Sequence, residues 1–70
     1  MLTSSDRGVL AQAYGLGERE VAADAALVAH WCGPTDDLLA ALRERRGWAA
    51  AAAYRYLRTL RRALLGTHLA

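Results

Sequence analysis

The chain has no lysine, asparagine, isoleucine or phenylalanine, a single cysteine and a single proline. With Cys32 alone no intramolecular disulfide can form, and with His30 and His68 as the only imidazoles the soft-ligand set is too thin for a structural metal. No metal-ligating, cofactor-binding or catalytic constellation emerges, because the two histidines are far apart and no serine or carboxylate sits at a telling spacing from them. Long apolar runs are missing too: the longest nearly uncharged stretch, residues 25–35, falls well short of the ~20 residues a membrane-spanning helix needs. Residues 1–6 lack the basic and apolar regions of a targeting segment, and a cytoplasmic location is expected.

What is present is biased. Sixteen alanines and nine arginines in 70 residues suggest GC-rich coding and a bacterial origin. Charge is split along the chain. Residues 1–42 carry six acids and two arginines, a net of −4, whereas residues 43–70 carry seven arginines against Glu44, a net of +6. The halves can neutralise each other within one fold, do so between two copies, or leave the basic half to an anionic partner.

The periodicity is helical throughout, and the expected fold is all-α: a small bundle of three or four helices forming one domain over residues 1–70, without strands. Its dominant element is the amphipathic stretch Trp48 to Leu69, where Ala49, Ala53, Tyr56, Leu57, Leu60 and Leu64 share one side and Arg55, Arg58 and Arg62 the other. Consecutive alanines followed by leucine and arginine favour helix, and Gly66 supplies a stop. Upstream, Thr3 and Asp6 make a helix-start signal for a first helix from Ser4 to Tyr14, broken by Gly15-Leu16-Gly17. A second helix, capped by Gly17 and stapled by Leu16 and Val21, is expected to reach Trp31, with Val21, Ala25, Val28 and Cys32 on one face. Asp24 falls among those apolar residues and needs a partner, for which an arginine from the basic half is the natural candidate. After Gly33-Pro34, a third helix runs from Thr35 to Arg45, with acids in its first turn and arginines in its last. Gly47 is the ambiguous boundary; the apolar rhythm continues through it, and a break is the expectation.

Two local patterns resemble known motifs. Trp31-Cys32-Gly33-Pro34 resembles the opening of the thioredoxin active-site motif, but Thr35 stands where the second cysteine belongs, which excludes dithiol exchange. A buried apolar cysteine ending a helix is the plainer reading. Residues 10–21 resemble a helix-turn-helix, with Gly15 in the turn and Val21 at the expected apolar position. That resemblance implies DNA reading by the second helix, yet Glu18, Glu20 and Asp24 would meet phosphate with negative charge. The pattern therefore argues for a helix-turn-helix-like pair used for packing.

A chain of this length buries only a modest fraction of its surface, so self-association or a partner is the expected supplement. The function expected is a non-enzymatic interaction module, an adaptor, regulator, inhibitor or co-chaperone, acting on another protein through its helices and as a homodimer. Candidate partner contacts are Trp31, Trp48, Tyr54, Arg55, Arg58 and Arg62. Core or dimer packing falls to Ala53, Tyr56, Leu57, Leu60 and Leu64. The alternative is a nucleic-acid-binding regulator that uses the arginines of residues 43–62. The alanine-rich face of the last helix favours packing on another helix over membrane insertion, and no small-molecule substrate is implied.

Overall fold

Four helices account for the fold in the computed structural model, which describes residues 2–66: α1 (Ser4–Tyr14), α2 (Glu18–Ala29), α3 (Thr35–Arg46) and α4 (Ala50–Leu64). His68 and Leu69, part of the expected terminal stretch, lie outside the described residues. No strand occurs among the described residues, and none of their helices is long and apolar enough to cross a membrane.

Each boundary has a local cause. The Thr3 hydroxyl accepts the Asp6 backbone N–H at 3.1 Å and starts α1, which ends where Gly15 turns left-handed at φ 67°. Gly17, in extended conformation, caps α2, and its N–H is satisfied by Glu20 Oε1 at 2.9 Å, one half of a capping box. α2 stops at Ala29 rather than Trp31. The chain beyond it is committed to a turn in which the Trp31 indole N–H donates to the Pro34 carbonyl at 3.1 Å. As a result Cys32 leaves the helical face expected for it and is exposed, not buried. Pro34 then accepts the Asp37 and Leu38 N–H groups to open α3. At Gly47, φ 69°, the chain breaks as expected, and both the Gly47 and Trp48 N–H groups return to the Arg43 carbonyl.

The bundle is organised around α4, which packs on both α2 and α3, while α1 packs on α2. α4 buries Ala53, Tyr56, Leu57, Leu60 and Ala63, and the last four join Leu10, Val21, Val28, Leu38 and Leu42 in the core cluster. Ala49, expected on this face, lies before the helix and is exposed, and Ala63 takes the inward position further on. Burying each of these leucine or valine side chains is worth about 1.5–3 kcal/mol. The radius of gyration, 11.0 Å, matches the ~11 Å of a folded globule this long. Among the described residues only Val9, Tyr54 and Leu65 are large apolar side chains left exposed.

Candidate functional site

Two polar assemblies stand out, and the first is internal. Asp24 is fully buried on α2, and a lone carboxylate there would carry a prohibitive desolvation cost. It is surrounded instead. Its Oδ1 accepts from Arg45 Nη1 at 3.2 Å and Arg46 Nη2 at 3.1 Å, and its Oδ2 accepts the Tyr56 hydroxyl at 2.6 Å. Arg46 Nε sits 3.0 Å from Oδ2 as an ion-pair contact without hydrogen-bond alignment. The remaining Arg46 N–H group reaches Glu20 one turn earlier on α2. Burial by itself would lower the Arg46 guanidinium, but the Asp24 and Glu20 carboxylates outweigh it and hold its pKa above the ordinary value. Burial first, and then donation to Asp24, raise the Tyr56 phenol far above its usual range. This cluster joins α2 to the α3 end and to α4, and it is where the acidic and basic halves of the chain meet. The Asp24 carboxylate, the Tyr56 hydroxyl and both terminal nitrogens of Arg46 are engaged with one another or with Glu20, so the chemistry of the cluster is structural.

The second assembly faces outward on α4. Arg55, Arg58 and Arg62 are spaced three and four apart, which places them on one side of the helix, and all three are exposed. With Thr59, and with Tyr14 from the end of α1, they line a shallow hollow of about 260 Å³. Thr59 donates its hydroxyl to the Arg55 carbonyl at 2.9 Å, the usual back-bond of a mid-helix threonine. The Arg58 guanidinium carbon lies 6.0 Å from the centroid of the exposed Tyr54 ring. Among the described residues no carboxylate lies within ion-pair distance of Arg55, Arg58 or Arg62, while Arg45 and Arg46 are both paired. α4 carries four arginines and no acid at all.

Tyr14 is held by an aromatic trio. Its ring centroid lies 5.7 Å from Trp48 and 5.0 Å from Tyr56, and Trp48 meets Tyr56 edge-on at 5.1 Å. A separate apolar groove of about 200 Å³ lies along α2, lined by Leu2, by Leu64 at the end of α4, by alanines of α2, and by Arg7 and His30.

The residues singled out from the sequence are thus divided by the fold. Arg55, Arg58, Arg62 and Tyr54 come together on the outer face of α4. Trp48, placed by periodicity on the edge of the last helix, lies in the loop before α4, half-buried in the aromatic trio. Trp31 is half-buried against the core and tied to Pro34, on the α2–α3 turn. Neither tryptophan joins the arginine surface. Ala53, Tyr56, Leu57 and Leu60 are buried within the chain's own core and Leu64 is half-buried at its margin, so a second copy would meet other residues.

Sequence reasoning missed Tyr14 and Thr59 as neighbours of the arginines, and Tyr56 as a ligand of Asp24. Thr59 had a readable signal, since it lies between Arg55 and Arg62 on the same helical face; Tyr14, on another helix, had none. No family model, curated protein or solved structure matches this chain.

Proposed function

We propose that this protein is a small binding module that holds an acidic segment of a partner protein against the outer face of α4. The observation that carries this reading is the contrast between its two sets of arginines. Arg45 and Arg46 are spent on Asp24 and Glu20, whereas Arg55, Arg58 and Arg62 stand exposed on one helical face with no carboxylate paired to them among the described residues. Four arginines on a single helix without an acid repel one another at short range, a cost that an acidic partner relieves. Tyr54 beside them supplies the amphipathic aromatic contact that binding surfaces favour.

Binding of a fluorescein-labelled acidic peptide, followed by anisotropy at several salt concentrations, tests the proposal. Micromolar or tighter binding that the triple substitution Arg55→Gln, Arg58→Gln, Arg62→Gln abolishes supports it. Absence of binding at low salt by the unaltered protein refutes it.

The same stripe supports a second reading, a nucleic-acid-binding regulator. Random-sequence duplex DNA that binds more tightly than the peptide, with affinity falling steeply as salt rises, would favour that alternative. Recognition by α2 is disfavoured in either case, because Glu18 and Glu20 are exposed on it and Asp24 is sealed inside.

A further inference from the structure

We infer that the hollow between α1 and α4 receives the phosphoryl group of a phosphorylated side chain, so that the partner of this module is an acidic segment carrying a phosphoserine or phosphothreonine. The inference rests on the acidic-partner reading above and names the group that its arginines are arranged for.

The first argument is one of charge and donors. Arg55, Arg58 and Arg62 line a hollow of about 260 Å³, which gathers three positive charges without a carboxylate paired to any of them among the described residues. One carboxylate brings a single negative charge and would leave two guanidinium groups unmatched. A phosphomonoester brings a charge of about −1.5 to −2 and three strong acceptor oxygens, enough to engage the planar N–H forks of more than one arginine together. The Tyr14 phenol adds a neutral O–H donor, and it has no hydrogen-bond partner among the described residues. Thr59, whose proton is committed to the Arg55 carbonyl, acts as a small neutral wall.

The second argument is preorganisation. The Tyr14 ring is held between Trp48 and Tyr56 at 5.7 and 5.0 Å, and Tyr56 is itself anchored by its 2.6 Å hydrogen bond to buried Asp24. Tyr14 therefore borrows rigidity from the core. Arg58 is steadied over the Tyr54 ring. Fixed donors lose less entropy on binding than free ones, which favours a compact, highly charged group over a diffuse one.

The test compares three labelled peptides on the full chain: an acidic peptide with one central serine, the same peptide phosphorylated at that serine, and a version with two glutamates in its place, which matches the added charge without the tetrahedral group. The phosphopeptide is expected to bind about tenfold or more tightly than either of the others. Tyr14→Phe, which keeps the ring in the aromatic trio, is expected to cut that preference, taken as the ratio of the phosphorylated to the unphosphorylated peptide on the same variant, several-fold. Equal binding of the phosphopeptide and the double-glutamate peptide would overturn the inference and leave the acidic-partner reading standing. Binding of none of the three would remove both. Displacement of the phosphopeptide by a lower concentration of random duplex DNA would assign the hollow to a nucleic-acid backbone instead, and would also overturn it.

Discussion

Tyr56 donates its hydroxyl to Asp24 at 2.6 Å across 32 positions of sequence, and both residues are completely buried. The contact ties α4 to α2 at the point where two arginines converge, so three side chains from α3 and α4 depend on one carboxylate of α2. It also stands behind Tyr14, which lines the outer hollow and packs on the Tyr56 ring. Core and surface are therefore mechanically connected.

Replacing Asp24 should be severe. Asp24→Ala leaves the largely buried Arg46 and the Tyr56 hydroxyl without their acceptor, and loss of one member of a buried charge pair costs about 3–5 kcal/mol. That is comparable to the whole stability of a domain this small. Tyr56→Phe removes one hydrogen bond to a charged acceptor and should cost about 1–3 kcal/mol. Urea melts followed by circular dichroism will check both; a melt of Asp24→Ala indistinguishable from the unaltered protein would contradict the role given to the cluster.

Stability should also fall in alkali, for a reason specific to Tyr56. Burial and the hydrogen bond to Asp24 raise its pKa in the folded chain above the unfolded value of about 10. A raised pKa means that the folded state keeps the proton longer. The stabilisation is then complete below pH ~10 and is lost as pH climbs from there toward the folded value. Denaturant midpoints measured between pH 8 and 11 should decline more steeply for the unaltered protein than for Tyr56→Phe. Parallel declines would count against it.

Three glycines make opposite predictions. Gly15 and Gly47 adopt φ of 67° and 69°, and an added Cβ would touch nothing within 4 Å at either site. Any cost of alanine there is purely conformational, about 1–2 kcal/mol each. Gly8 lies inside α1 with the same open space and an ordinary φ, so Gly8→Ala should stabilise by about 0.5–1 kcal/mol. Thermal melting of the three single variants reads the signs directly, and a destabilised Gly8→Ala would show that α1 is limited by something other than backbone entropy.

The arginines of the hollow should be dispensable for folding. All three are exposed and unpaired with acids among the described residues, and Arg58 and Arg62 are like charges one turn apart. The triple glutamine variant that abolishes peptide binding should melt within about 0.5 kcal/mol of the unaltered protein. A large loss of stability would mean that the stripe is part of the scaffold, and the binding role would have to be given up.

The four helices were legible because their signals are local. Thr3, Gly15, Gly17, Pro34 and Gly47 act on the backbone within one turn of themselves, and the apolar period of residues 50–64 needs no distant partner to be read. The conflict at Asp24 was legible for the same reason, since a carboxylate on an apolar face contradicts its own helix, and only the basic half of the chain could answer it. Which arginines did so was a matter of three dimensions: Arg45 and Arg46 reach Asp24 because Gly47 ends α3 beside α2, and Tyr56 joins them because α4 folds back across both. Tertiary packing likewise set Trp48 half-buried against Tyr14 and Tyr56, and brought Tyr14 to the arginines of α4. Helix boundaries follow from torsional and hydrogen-bonding preferences of neighbouring residues, whereas a site assembled from α1 and α4 exists only once distant surfaces have been buried against each other.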